Sequence, residues 1–358
     1  MTLYRHFFPR KSRRRIFIVL CIWALCLSAC SKPKTEKPIR IISWNLQTFF
    51  DAHTDGTEYA EFRGAKSLWN REKYESRLDK LAAFIKEHPA DIYVFQEAEN
   101  AAVLQDIANR CTGAGFSPQV PIGACFTAAE NGALGIGVLS HLPFERVRVH
   151  QTDIRAYINR NAPFIQRTRQ PPLRPLLEIH VQSPHGVFAL FACHWKSKVG
   201  DSEANGQWRR IQETVLAQCI AELTCEADEK MPLIVCGDFN RDLSEFNLSS
   251  QPPYVCFEPP EKNIRLFSAW LSAPAEAENA SSEKESAPVP GSYYFRDSWE
   301  KIDHFFYNEF TQAVLFYPMQ KGAHVQSDNT PFRYNIQNNT GFSDHLPLCF
   351  EFLIKKGF

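Results

Sequence analysis

The chain has 358 residues, enough for one large domain or two of average size. Its 40 basic and 40 acidic residues cancel, but unevenly along the chain. Residues 1–29 hold Arg5, Arg10, Lys11, Arg13, Arg14 and Arg15 and no acid; the remainder carries 34 basic against 40 acidic residues, which excludes a generally basic nucleic-acid binder.

The first element is a targeting segment. A basic stretch, "RKSRRR", precedes the 14-residue apolar run "IFIVLCIWALCLSA". That run is short for a membrane span, which needs about 20 residues. It ends in Leu27-Ser28-Ala29-Cys30, which resembles a bacterial lipobox. The resemblance implies a signal peptide over 1–29, cleavage before Cys30, and lipidation of that cysteine. Ser31 in place of an aspartate favours the outer membrane or cell surface as the destination. Residues 30–38, "CSKPKTEKP", then form a lipidated tether.

Apolar runs of strand length follow at 39–44, 91–95, 134–140, 176–181, 187–193, 232–236, 301–307 and 347–354. Several are continuous rather than alternating, as in strands covered on both faces. Two helices intervene. Tyr74, Leu78, Leu81, Phe84 and Ile85 mark one face of the first, with Asn70 as its N-cap. Ile211, Val215, Leu216, Cys219 and Leu223 mark the second. Strands mixed with helices throughout predict one α/β domain over 39–358. Within it, residues 272–291 are rich in Ala, Ser, Glu and Pro and read as a disordered insertion.

Of eleven cysteines, Cys21 and Cys26 would leave with the signal and Cys30 would take the lipid. Among the other eight, Cys111 with Cys125 and Cys219 with Cys225 are the local disulfide candidates in an oxidising compartment. Cys193, Cys236 and Cys349 sit in apolar runs and read as buried thiols. No CxxC spacing suggests zinc.

The polar residues that end the strands carry the chemistry. The 39–44 run leads into Asn45, 91–95 into Gln96-Glu97, 187–193 into His194, and 232–236 into Gly237-Asp238-Phe239-Asn240. The carboxyl edge of such strands is where sites form. Glu97 and Asn45 offer oxygen, which suits Mg²⁺ rather than zinc. Asp238 and Asn240, two apart on a strand-like exit, can point the same way. His194 and His345 can move protons near neutral pH, and Asp303 can orient a histidine. Together these fit hydrolysis of a phosphate ester.

Asn45 in "SWNLQ", Glu97 in "FQE", His194 in "CHWKSK", "GDFN" at 237–240, Asp303 in "KID" and "SDH" at 343–345 occur in the order and rough spacing of the endonuclease/exonuclease/phosphatase superfamily, the deoxyribonuclease I-like group. The chain most resembles its secreted and lipoprotein nuclease-like bacterial branch. The resemblance implies a four-layer sandwich of two packed mixed β-sheets flanked by helices. It implies that Glu97 binds Mg²⁺ (or Mn²⁺), helped by Asn45 and Asp344. It implies that Asp238 positions or deprotonates the attacking water and that Asn240 binds the phosphate. His345, paired with Asp303, would contact the phosphoryl oxygens, and His194 would protonate the leaving oxygen.

The substrate expected is nucleic acid, cleaved by a monomer. Arg155, Arg160, Arg167, Arg169 and Arg174 fall in a stretch without acid, and Lys196 and Lys198 follow His194. Arg169 and Lys196 are the phosphate-binding candidates. Tyr293, Tyr294 and Phe295 are candidates for stacking on bases, or simply form a strand. A sphingomyelinase or inositol-phosphate phosphatase of the same fold, or a non-catalytic surface binding protein, are the alternatives.

Overall fold

The computed structural model describes residues 36–113, 123–152, 170–200, 202–226, 230–249, 254–258, 263–275 and 288–355. The expected signal peptide, Cys30, and Arg155, Arg160, Arg167 and Arg169 lie outside them. Among the described residues, no helix is long and apolar enough to cross a membrane. Residues 38–358 form one compact unit.

All eight apolar runs are strands. They form β1 (Ile39–Phe49), β2 (Ile92–Ala98), β4 (Gly135–Ser140), β6 (Leu176–Ser183), β7 (Gly186–His194), β8 (Leu233–Asp238), β14 (Asp303–Tyr307) and β16 (Leu348–Ile354). Others complete two sheets: β3 (Gly123–Ala128), β5 (Phe144–His150), β9 (Asn247–Leu248), β10 (Tyr254–Cys256), β11 (Arg265–Ser268) and β15 (Thr311–Pro318). The first sheet runs β15-β16-β1-β2-β4-β3 and the second β5-β6-β7-β8-β14-β11-β10-β9. Strands β12 (Tyr293–Phe295) and β13 (Ser298–Glu300) make a separate hairpin. The pairs β1–β2 and β7–β8 are parallel. These are the strands whose carboxyl ends deliver Asn45, Glu97, His194 and Asp238, so parallel pairing puts each pair of polar residues at one edge.

Alternate residues of these strands pack in two directions. Ile41, Val94, Ile136, Ile179, Leu190, Ile234, Phe305 and Phe350 bury themselves in the core between the sheets. The opposite faces pack on helices α1 (Arg71–Glu87), α2 (Ala101–Gly113) and α3 (Ser202–Glu226). The result is the expected four layers. Helix α1 forms because Tyr74, Leu78, Leu81 and Phe84 recur on one buried face and Asn70 accepts the Lys73 N–H as its cap. It stops at His88, whose successor is Pro89, a position where helical geometry is disfavoured.

Two expectations need correction. All eight described cysteines are free thiols. Cys219 and Cys225 share helix α3, where six residues separate side chains by about 9 Å of rise, beyond disulfide reach. Cys111 and Cys125 lie on α2 and β3, and burial pushes their thiols up to about 11 and about 12. The insertion is also narrower than 272–291. Ser272 closes the short helix α4 (Ala269–Ser272), the Pro274 carbonyl accepts the Phe316 N–H at 2.8 Å, and Val289 is buried. Only 276–287 lies outside the described residues.

Candidate active site

The sequence-predicted residues come together at the parallel edges. Asn45, His194, Asp238, Asp303 and His345 are all buried. In the second sheet, register brings His194 beside Asp238 and Asp238 beside Asp303. Gly237 makes the β7–β8 approach possible: a Cβ there would stand 2.0 Å from the Cys193 carbonyl oxygen, and its φ is +132°. Across from the second sheet, the Asn45 amide donates to Asp238 Oδ2 at 2.9 Å and to Glu97 Oε1 at 3.3 Å. One side chain thus links the two sheets.

Strand β8 ends at Asp238, so Asn240 is not placed by strand alternation. It takes a left-handed conformation (φ +46°), its N–H donates to Asp238 Oδ1 at 2.7 Å, and its amide donates to the Trp195 carbonyl at 3.2 Å. This turn, rather than the two-residue period, sets Asp238 beside Asn240.

The C-terminal loop supplies the other half. His345 Nδ1 lies 2.8 Å from Asp303 Oδ2, and Ser292 Oγ donates to the same oxygen at 2.7 Å. The Trp44 indole donates to the His345 carbonyl and the Trp270 indole to that of Asp303, both at 2.9 Å. Ser343 Oγ donates to the Asn45 carbonyl at 2.6 Å. Ser343 belongs to the "SDH" motif, which gave it no role of its own; Ser292 and Trp270 were not legible beforehand, because a lone serine or tryptophan carries no pattern until the fold sets it beside the site.

The two histidines differ electrostatically. Burial opposes charge on His345, but Asp303, then Asp238 and Asp344, outweigh it and raise its pKa to about 10. For His194, burial dominates, Arg174 and His345 add to it, and the pKa falls well below the usual range. Its Nε2 stands 3.7 Å from Asp238 Oδ2 and 3.9 Å from Glu97 Oε1, too far for hydrogen bonds. Its Nδ1 is buried with no hydrogen-bond partner among the described residues. Asp238 is raised to about 7, by burial and by the Asp303 carboxylate, against the pull of His345, Asn240 and Asn45.

The donor chemistry fits a hard divalent cation. Glu97 and Asp344 keep 21% and 14% of their side-chain surface exposed, so the carboxylates on this side can be reached from solvent. Glu97 Oε2 accepts the Thr48 N–H at 2.6 Å, leaving Oε1 facing Asn45 and His194. Asn45 would offer its oxygen after a rotation of the amide, whose Oδ1 now accepts the Gln47 N–H. Asp344 lies 3.5 Å from Arg333 Nη2 and 3.9 Å from His345 Nε2. Asp238, Asp303 and His345 also cluster tightly enough to hold an ion, but Asp303 and His345 already engage each other.

Of the phosphate-binding candidates, Arg169 lies outside the described residues. Lys196 is half-buried, and burial with Arg174 and Arg209 nearby lowers its pKa. Lys198 is paired with Glu300 at 2.8 Å and Glu245 at 3.2 Å, which removes it from the free positive patch. Tyr293, Tyr294 and Phe295 do form strand β12. The Tyr293 ring sits 4.7 Å from that of His345, and Phe295 lies next along the same face, 43% exposed.

Comparison with solved structures finds the same architecture in several proteins. A mannosyl-6-phosphatase from Bacteroides thetaiotaomicron is 13% identical, with a TM-score of 0.52, over 88% of this chain and 100% of its own. The human Nocturnin catalytic domain, with a bound sulfate anion, is 18% identical, with a TM-score of 0.52, over 89% and 95%. TDP2 from Caenorhabditis elegans is 13% identical, with a TM-score of 0.54, over 96% and 84%. These likenesses establish the fold. Curated proteins give no significant match. The model of the Endonuclease/Exonuclease/phosphatase family matches residues 42–345, from β1 through the catalytic histidine candidate of the last loop. The chain belongs to the Endonuclease/Exonuclease/phosphatase family.

Proposed function

We propose that the protein is a divalent-metal-dependent phosphodiesterase that hydrolyses nucleic acid by attack of water. Family members are phosphoric ester hydrolases and generally depend on a divalent metal. The observation that carries the reading is the buried constellation in which Asn45 links Glu97 to Asp238 while His345 is held by Asp303.

Glu97, Asn45 and Asp344 would hold Mg²⁺ or Mn²⁺, which when bound would neutralise charge developing on the phosphoryl oxygens. His345, charged at neutral pH, would donate from Nε2 to a phosphoryl oxygen, with Asp303 holding the ring by Nδ1. Asp238, raised to about 7, would take a proton from the attacking water. Asn240 would orient the phosphate. His194 is assigned differently from the sequence expectation. Held neutral by its burial, it would donate one N–H from Nε2 as a hydrogen bond to the leaving oxygen, whose proton would come from solvent rather than from this ring.

Nucleic acid is favoured by the ring face of Tyr293 and Phe295, which begins against His345 and offers stacking area next to the scissile phosphate. We further assign the protein to the cell envelope, tethered through Cys30 as a monomer. The test compares hydrolysis of plasmid DNA, RNA, sphingomyelin and an inositol phosphate by residues 31–358, with Mg²⁺ and with EDTA. Cleavage of DNA or RNA that EDTA abolishes supports the proposal. Hydrolysis of sphingomyelin or inositol phosphate alone, or full activity in EDTA, overturns it.

A further inference from the structure

We propose that Arg77, on helix α1, is a positioning residue that sets the geometry of the cation-binding side chains by holding a left-handed corner at the end of β1. The inference rests on the reading of Asn45 and Glu97 as cation ligands.

Arg77 is buried, 3% exposed, in a helix whose other charged residues largely face solvent. Its guanidinium donates to the carbonyls of Leu46 at 2.6 Å, Gln47 at 2.9 Å and Thr48 at 2.9 Å, and to that of Phe342 at 3.3 Å. The plane lies between two rings, 4.4 Å from Phe49 and 4.0 Å from Tyr334. A charge this deep is costly unless hydrogen-bonded, and here the acceptors are backbone groups of the two loops that frame the site.

The corner needs such support. Gln47 and Thr48 are consecutive non-glycine residues at φ +51° and +50°. A left-handed backbone crowds the Cβ of any residue but glycine, so two in succession are strained. Reversing the backbone there aims the Thr48 N–H at Glu97 Oε2 (2.6 Å), which fixes that carboxylate with Oε1 left to bind, and the Gln47 N–H at Asn45 Oδ1 (2.9 Å), which holds the amide beside it until it rotates. It also turns three carbonyls together toward Arg77, whose planar guanidinium meets them from two nitrogens held in one rigid geometry, Nη2 on Leu46 and Gln47 and Nη1 on Thr48. Phe342 joins the second loop to the same fork, one residue before Ser343, whose hydroxyl donates to the Asn45 carbonyl. Lys73 and Lys80, one turn to either side, donate to the carbonyls of Ile336 and Asn339 and fasten the same loop. The basic face of α1 thus acts on backbone, and through it on the ligands.

A simple electrostatic role makes the opposite prediction. The Arg77 charge interacts with Glu97 and Asp344, so a cation bound there would be repelled by it. Removing the charge would then tighten cation binding. Positioning requires that removing the fork weakens it, by about 10–100-fold, as for other residues that orient ligands.

The experiment measures Mn²⁺ affinity of the full chain by calorimetry and electron paramagnetic resonance, beside thermal melts. Arg77→Lys keeps the charge and loses the fork; Arg77→Met loses both. Both are expected to bind Mn²⁺ about 10–100-fold more weakly. Adding Thr48→Gly to Arg77→Lys should recover most of the loss, because glycine holds φ +50° without strain. The rescue decides the matter even if Arg77→Met does not fold. Unchanged affinity in Arg77→Lys, tighter binding in Arg77→Met, or no recovery with Thr48→Gly overturns the inference. Absence of Mn²⁺ binding by the unmodified protein would instead overturn the reading of the site on which it rests.

Discussion

His345 and His194 are buried in the same site, yet the surroundings leave one charged and the other neutral. Burial acts on both in the same direction. The difference is a partner: His345 hydrogen-bonds a carboxylate at 2.8 Å, whereas His194 has Arg174 nearby and carboxylates only beyond hydrogen-bond distance. A site with opposed histidines has a donor that keeps its charge and a ring that burial holds neutral at neutral pH, with Asp238 raised to about 7 beside them. On the proposed mechanism, that division would separate stabilising the phosphoryl group from moving the proton.

The largest expected effect comes from removing the charged member. His345→Ala should lower kcat/KM by about 10³-fold or more on any phosphodiester, because it deletes a transition-state donor and leaves the Asp303 carboxylate uncompensated. Asp303→Asn should behave as a weaker version, and the double variant should be little worse than the worse single, since the two act as a unit. Additive losses would break the pair.

His194→Ala should cost less, about 10–10²-fold, and equally for a natural diester and a nitrophenyl ester. An acid would matter mainly for the poor leaving group. A loss confined to the natural substrate would give His194 the acid role that its sequence position suggests.

Stability against pH sharpens the same contrast. The folded pKa of His345 lies above its unfolded value, so its contribution is full below about pH 6.5 and is lost as pH rises toward 10. That alkaline loss should vanish in His345→Gln. His304 and His324 show the reverse. Burial, only partly offset by the carbonyls of Arg241 and Met319, lowers both to about 4. Each should cost about 3 kcal/mol as pH falls from 6.5 to 4, and His324→Phe should reduce the acid sensitivity seen in urea titrations.

The smallest effect should come from the insertion. Joining residue 275 to 288 with a short glycine-serine linker should shift the melting temperature by only a few degrees. A deletion reaching Pro274 and Val289 should shift it more, because it removes the acceptor of the Phe316 N–H and a buried side chain.

The sandwich was legible because strands covered on both faces are continuously apolar, and each abrupt change to Asn45, Glu97, His194 or Asp238 marked the site edge. Strand β5 was not, since "FERVRVH" alternates at a sheet edge and exposes Val147 and Val149. Arg77 was not, because one arginine in "REKYESRLDK" reads as a solvated charge. Its burial is decided by Phe49 and Tyr334, far away in the chain. The left-handed turns at Gln47, Thr48, Glu97 and Asn240 have no glycine to announce them. Strain held by surrounding contacts leaves little local trace.

Selective ¹⁵N labelling of the histidine rings, followed by NMR titration of the metal-free protein, tests the central contrast most directly. His345 should keep both ring protons through pH 8, while His194 should stay a single neutral tautomer protonated on Nε2 at neutral pH. Assignments would come from His345→Gln and His194→Gln. Two histidines titrating together near pH 6.5, or a His194 cation at neutral pH, would contradict that contrast.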